Sequence, residues 1–219
     1  MKFSYDNIIF RGLNKFVDSV YVSLLWLVCC IPVFTIGAST SALYYTAHKS
    51  IRGGREYVGR SFFQAFKDNF KQATLSWLVY LLIVFVLSFD LNFMRQMLAA
   101  GSSMGMLYYV FLVAIVFVVG WGCYLFPYVA RFENTVKATL KNAVLLEIRH
   151  LPWSLLLIVI FAVSVFLTWL IWPLVFLLPC MMCLLFDLIL ERIFRRYMSE
   201  EDLARELEIE QLDKMEGGR

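Results

Sequence analysis

Residues 151–190 read LPWSLLLIVIFAVSVFLTWLIWPLVFLLPCMMCLLFDLIL and contain one charged side chain, Asp187. A helix needs roughly 20 apolar residues to cross the hydrocarbon core of a bilayer, so this stretch is long enough for two spans. Trp172 and Pro173 lie near its middle, with no polar loop between the two halves. Because proline cannot continue the hydrogen-bond ladder of a helix, we expect a tight turn there and a hairpin of two membrane helices.

The composition of the whole chain agrees with membrane insertion. Its 219 residues are 61% hydrophobic and 17% charged, with a mean hydropathy of +0.71. An average soluble domain is about 25% charged, so the composition excludes an ordinary globular protein and a disordered one. Five cysteines among apolar residues do not fit a disulfide-stapled secreted domain. The net charge of +3 is spread over separate loops, which argues against a nucleic-acid partner.

The remaining apolar stretches complete a predicted all-α polytopic membrane protein with five to six transmembrane helices in hairpins. No charge occurs between Ser19 and Ala47, which is long for one span and short for two. Pro32 and Gly37 interrupt this stretch, so we interpret it as two helices, the second of them short. The spans are predicted at about 14–31, 38–51, 73–90, 106–130, 151–172 and 173–190 within a membrane domain 1–196.

The distribution of Lys and Arg predicts the orientation. Of the 20 basic residues, Arg95 alone follows the 73–90 span, and all the others lie in segments that the positive-inside rule places in the cytoplasm. Both ends of the 19–47 stretch then lie inside, which a helical hairpin or a re-entrant pair allows and a single span does not. We therefore favour six helices over five, with the C-terminus cytoplasmic. No cleavable signal peptide is visible.

Each cytoplasmic segment before a hairpin carries apolar residues at helical spacing. In the second segment Phe62, Phe66 and Phe70 share one face, with lysines on the other. Such helices lie in the membrane surface, so we predict a threefold repeat of interfacial helix plus hairpin. The alternative is that these are ordinary interfacial helices without a repeat. The tail, 197–219, is predicted to be a charged cytoplasmic helix, either solvated or docked on a partner.

The sequence offers little chemistry. Asp187 lies one turn from Glu191 and Arg192, so we expect a carboxylate that faces Arg192 or the inner interface, the alternative being a proton or ion relay. The C-x-x-C of Cys180 and Cys183 is interpreted as apolar packing. His48 and His150 lie near separate interfaces, so no metal site is predicted. Without a recognised catalytic or nucleotide motif, we expect no enzyme activity and no cofactor.

Three blocks resemble the YesL-like family of bacterial integral membrane proteins. They are LVCCIPVFTIGA at 27–38 with Ala42-Leu43-Tyr44, SFFQAFKDNFKQA at 61–73, and ARFE at 130–133 with LKNA at 140–143. The resemblance implies a multi-pass protein of the bacterial plasma membrane. It implies no activity, because the family has no established one. Its members are encoded, in many Gram-positive bacteria, beside the solute-binding proteins and permeases of oligosaccharide ATP-binding-cassette (ABC) importers.

Taken with the resemblance, these features favour a non-enzymatic accessory or assembly partner of a carbohydrate ABC importer. Its partners would be the lipid bilayer and the permease or solute-binding subunits, with a homo-oligomer also open. The alternatives are a small autonomous transporter or channel, and a membrane regulator of a glycan-utilisation locus. The candidate structural and contact residues are Pro32, Thr35 and Gly37 at the first helix break, Phe62, Phe66 and Phe70 as anchors, Arg131, Glu133, Lys141 and Asn142 as a cytoplasmic contact face, and Asp187.

Overall fold

The computed structural model describes residues 8–52 and 57–198, together with positions 200, 201, 203, 204, 208 and 211. Helices account for 90% of it, and these residues contain no strand. The α-helices are α1 (Ile8–Cys29), α2 (Ile36–Thr46), α3 (Val58–Ala99), α4 (Leu107–Arg131), α5 (Val136–Arg149), α6 (Leu151–Leu170) and α7 (Leu178–Phe194). Four helices, α1, α3, α4 and α6, are long and apolar enough to cross a membrane. The all-α class predicted from the sequence is thereby confirmed.

The first apolar stretch is broken where Pro32 stands. Helix α1 ends at Cys29, a 3-10 turn covers Val33–Thr35, and α2 begins at Ile36. The Thr35 hydroxyl lies 2.6 Å from the carbonyl oxygens of both Cys29 and Pro32. It therefore satisfies backbone groups that the end of α1 leaves without a helical partner.

The turn of the last hairpin is longer than the tight turn predicted at Trp172 and Pro173. Helix α6 ends at Leu170, a 3-10 helix covers Trp172–Phe176, and α7 begins at Leu178. Pro179 occupies the first turn of α7, where its missing N–H leaves no hydrogen bond unmade. The second proline, which the span prediction placed inside a helix, therefore marks the start of α7.

The second interfacial helix and the third span form one continuous helix. Helix α3 has 42 residues and is therefore roughly 63 Å long at 1.5 Å per residue. No helix boundary accompanies the predicted start of the span at residue 73, because residues 61–99 contain no glycine or proline to interrupt the helix.

The third interfacial helix is a separate element. Helix α5 ends at Arg149, and the backbone of His150 (φ −121°, ψ 41°) leaves the helical region before α6 begins at Leu151. Helix α1, by contrast, continues the first predicted surface segment into the first span. The strict threefold repeat of separate surface helices is thus not what the chain adopts. The predicted tail helix, 197–219, lies for the most part outside the described residues.

The core forms where α2 packs against α3, α4 and α7. At Gly37 the close approach requires glycine, because a Cβ would come within 2.5 Å of the Trp77 Cβ and 2.7 Å of the Ala73 carbonyl oxygen. The indole of Trp77 donates a hydrogen bond to the Val33 carbonyl, 2.7 Å away. The tip of the α1–α2 hairpin thus meets α3 at Trp77, and residues 78–99 of α3 continue past it.

Candidate functional site

A cluster of buried charges joins α2, α4 and α7. Asp187 is 0% exposed, and both of its oxygens are bonded. The Arg52 Nη1 lies 2.6 Å from Oδ2, and the His48 Nδ1 lies 2.8 Å from Oδ1. The Tyr44 hydroxyl adds a hydrogen bond of 3.3 Å to Oδ1. Asp187 is therefore held by three side chains from one segment of the chain.

Glu191 lies one turn further along α7 and has its own set of partners. The Arg131 Nη2, at the end of α4, lies 2.7 Å from Oε1, and the Arg195 Nε lies 3.4 Å from the same oxygen. Oε2 makes no hydrogen bond and is 3.8 Å from the His48 Nδ1. Both carboxylates therefore face His48, which sits between them.

Two rows of side chains, each with a spacing of four residues along the chain, produce this arrangement. Tyr44, His48 and Arg52 follow each other at intervals of four residues, as Asp187 and Glu191 do on α7. Side chains four residues apart lie on the same face of a helix. The segment Ala47–Arg52 is a π-helix, an element that recurs at functional sites. This complementary spacing is a sequence signal that analysis of isolated charges missed.

The cluster could supply three ligand atoms to a metal ion. The coordinating atoms of His48, Asp187 and Glu191 all lie within 4.8 Å of one another. However, the two carboxylates already face the guanidinium groups of Arg52, Arg131 and Arg195. A divalent cation at this point would be repelled by the three guanidinium groups that the described residues place against the two carboxylates. The donor set therefore fits an ion-pair network better than a metal centre.

A further buried carboxyl belongs to Glu147 on α5. Its side chain is 1% exposed and packs against Gly120 of α4, where a Cβ would approach its Oε1 to 2.3 Å. Its Oε2 makes no hydrogen bond. Burial raises the pKa of this carboxyl from 4.5 to about 8, since removal from water disfavours the charged form. Nothing in the local sequence signals the burial of Glu147, which stands two residues before Arg149 in a segment that also carries Lys137 and Lys141.

A cavity of about 710 Å³ lies between the three hairpins. Its wall includes residues of α1, α2, α3, α4, α6 and α7 and is overwhelmingly apolar. Tyr44 belongs to both features, because its ring lines the cavity and its hydroxyl bonds Asp187. Four tryptophans contribute to the wall, namely Trp26, Trp77, Trp169 and Trp172.

Five hydroxyl groups line the cavity, and each donates its proton within the protein. The donors and their acceptors are Thr40 to the Ile36 carbonyl, Tyr44 to Asp187, Tyr80 to the Val118 carbonyl, Ser164 to the Ile160 carbonyl and Thr168 to the Ser164 carbonyl. Three of these bonds are i to i−4 contacts to the helix backbone, a common use of Ser and Thr in membrane helices. The wall therefore offers no hydroxyl proton to a ligand.

The predicted anchor residues Phe62, Phe66 and Phe70 lie along one face of α3, with neighbouring ring centroids 6.4 and 5.4 Å apart. Phe62 is fully buried in the core, Phe66 packs against it, and Phe70 is partly exposed. The N-terminal part of this aromatic face is therefore turned toward the protein, because α2 packs along α3 there.

The predicted contact face divides into two pairs. Glu133 and Lys141 are exposed, as a docking surface requires. Arg131 is instead committed to Glu191, and Asn142 donates a hydrogen bond of 2.9 Å to the Tyr128 hydroxyl. Asp187, expected to face Arg192 or the inner interface, bonds Arg52 and His48. The expected partners were neighbours in sequence, whereas the observed ones come from another hairpin.

Comparison with known proteins gives one match. Residues 19–91 match a family described as a protein of unknown function, DUF624. The matched segment runs from α1 through α2 into α3, and it contains the blocks 27–44 and 61–73 on which the resemblance to the YesL-like family rests. No curated protein and no solved structure matches the chain significantly.

Proposed function

We propose that this protein is a non-enzymatic integral membrane protein that acts as an accessory or assembly partner of a carbohydrate ABC importer. The resemblance to the YesL-like family supports the link with carbohydrate import, through the genes that accompany its members. The DUF624 match covers two of the three resembling blocks. The four long apolar helices support insertion in the bacterial plasma membrane.

The hydrogen bonding of the polar groups on the cavity wall is the observation that favours a role as a partner protein over a role as a sugar transporter. Selective recognition of a hydroxylated ligand depends on polar groups placed to bond it. Here the hydroxyl groups of Thr40, Ser164 and Thr168 already donate hydrogen bonds to helix carbonyls. The charged residues of the cluster lie behind Tyr44 and bond each other. A sugar would thus find few groups to bind, so its passage is better assigned to a separate permease.

The proposed topology has six membrane-inserted helices and a cytoplasmic C-terminus. Residues 78–99, beyond the α1–α2 tip at Trp77, rise roughly 33 Å, about the thickness of the hydrocarbon core. This geometry supports a re-entrant α1–α2 pair beside a full α3–α4 hairpin. Cysteine labelling of intact cells should modify Arg95→Cys and spare Glu133→Cys. Modification of Glu133→Cys from outside would contradict the orientation.

In this topology the segment between α4 and α5 faces the cytoplasm and supplies the contact face. Glu133, Lys137 and Lys141 are exposed there. The described residues give none of the three an ion-pair partner. Exposed charges of both signs steer association and fix the register of a partner rather than supply most of the affinity.

The test is affinity purification from native membranes in a gentle detergent, with an unrelated six-helix protein as the control. We expect stoichiometric recovery of permease or solute-binding subunits. The double charge reversal Glu133→Lys with Lys141→Glu should reduce that recovery, while Lys71→Glu, an exposed lysine on α3, should leave it unchanged. Recovery of the protein alone, or only as a homo-oligomer, would contradict the proposal.

The cavity itself favours a second candidate, a small autonomous transporter or channel. A central cavity between helical hairpins is where transporters hold their substrates. Purified protein in liposomes should then move a solute from a panel of ions and sugars. Flux no greater than that of protein-free liposomes would exclude this candidate for the solutes tested.

A further inference from the structure

The central cavity has the properties of a site for a hydrocarbon chain. Its volume of about 710 Å³ lies in the range of sites that enclose small molecules. Phe126, Phe161, Met182 and Phe186 are typical of its wall. Water in such a space finds few hydrogen-bond partners, and without an apolar occupant the lining side chains lack contacts on one side. Filling it with an apolar group would therefore stabilise the protein.

The polar groups on the wall reinforce this conclusion. The indole of Trp26 donates to the Thr40 hydroxyl at 3.2 Å, and the indole of Trp77 donates to the Val33 carbonyl. The hydroxyl protons are also used, and no charged side chain lines the wall. Inside the rim, the wall therefore offers a polar ligand no charge and no hydroxyl or indole donor, and only hydroxyl oxygens that can accept a hydrogen bond.

One side of the cavity is open, and its rim is apolar. Trp169 and Trp172, at the end of α6 and in the turn that follows, are 80% and 73% exposed. Helix α6 packs on α4, α5 and α7, and only 11% of the residues in its most apolar stretch are buried. Indole rings at the end of a membrane helix lie at the lipid interface. The cavity therefore extends from the level of the lipid headgroups, at Trp172, along α6 to Phe161 in the apolar part of the helix, where acyl chains are the neighbouring apolar groups.

We infer that this cavity holds an acyl chain of a membrane glycerophospholipid. The chain enters between the indoles of Trp169 and Trp172 and packs against the ring of Tyr44 at the inner end. Because the Tyr44 hydroxyl bonds Asp187, the occupied cavity supports the contact between α2 and α7. This inference is independent of the proposed importer partner, since it concerns only the inside of this chain.

The test uses the purified full-length protein, delipidated in detergent and then incubated with phosphatidylglycerol of two chain lengths, dioleoyl and dihexanoyl. Native mass spectrometry counts the lipids retained per chain. We expect one tightly retained dioleoyl lipid and about tenfold weaker retention of the dihexanoyl lipid. Equal retention of the two would overturn the inference, because it would place recognition at the headgroup.

Variants locate the site. Ser164→Phe and Thr168→Phe each add a ring to the cavity wall and should lower retention of the dioleoyl lipid about tenfold, a loss of about 1.4 kcal/mol. Val163→Phe is the matched control, since it adds the same ring to the exposed face of α6 and should change nothing. Thr168→Ala, which enlarges the cavity, should keep the lipid. Retention equal in all four variants would overturn the inference.

Discussion

At the scale of single residues, Glu147 shows most clearly what sequence reasoning misses. On α5 it stands between Leu146 and Ile148, and in the sequence it is indistinguishable from a solvated charge. Its burial depends on Gly120, which is distant in sequence and leaves room for the carboxyl because it has no side chain. By contrast, the role of Pro32 as a helix break follows from local stereochemistry and can be predicted from sequence, whereas Gly37 lies inside α2 and is required by its contact with α3.

The buried carboxyl gives the protein a pH dependence with a definite sign. Burial raises the pKa of Glu147 from 4.5 to about 8, so the folded state keeps a proton that the unfolded chain releases. The contribution of this group to stability therefore falls as pH rises from about 4.5 to about 8. We expect the Tm of the wild type in detergent to fall between pH 6 and pH 9.

Glu147→Gln should remove most of that fall, because the amide does not ionise. The stability gained over the wild type at pH 9 should be about 1–3 kcal/mol, allowing for relaxation around a charged group. Glu133→Gln, an exposed carboxyl, is the matched control and should follow the wild type. Parallel curves for the wild type and Glu147→Gln from pH 6 to pH 9 would show that Glu147 is already ionised in the folded protein.

At the scale of elements, helix ends were predictable where glycine or proline marks them. The break before α2 and the turn before α7 both coincide with prolines. The uninterrupted course of α3 was missed, because a change from amphipathic to apolar character does not end a helix. The contact of α2 with α7 was also missed. It depends on two rows of side chains that share a four-residue spacing and lie more than 130 residues apart in the sequence. No local pattern reveals such a contact.

The charge cluster should be a principal link between these elements. Asp187→Ala removes the shared acceptor of Arg52 and His48. The partly exposed Arg52 can turn to water, whereas the less exposed His48 loses its bond to the carboxylate, so we expect a loss of about 1–3 kcal/mol in unfolding free energy. Replacing both members of the pair, Arg52→Met with Asp187→Leu, should recover part of that loss. Thermal unfolding followed by intrinsic fluorescence measures both effects.

Arg192→Ala supplies the control for that series. Arg192 is exposed on the same helix and should contribute within about 0.5 kcal/mol. If Asp187→Ala and Arg192→Ala unfold at the same temperature, the cluster does not hold α2 to α7.

At the scale of the whole molecule, composition established the class and the basic residues predicted an orientation. The assembly of three hairpins around an apolar cavity was not predictable, because the residues that line it come from six helices and each is ordinary in its own helix. The cavity and the cluster meet at Tyr44, whose hydroxyl bonds Asp187, so the apolar wall and the ion pairs belong to one connected interior. This arrangement places recognition of any protein partner on the outer surfaces.

Site-specific photocrosslinking in living cells tests the partner role most directly. A photoreactive amino acid at Glu133 or Lys141, in cells growing on an oligosaccharide that an ABC importer takes up, should crosslink to a permease or solute-binding subunit of that importer. The same group at Lys71, which is equally exposed but on α3, should give no such product. Crosslinks from 133 and 141 only to a second copy of this chain, or equal yields at all three positions, would contradict the importer-partner account.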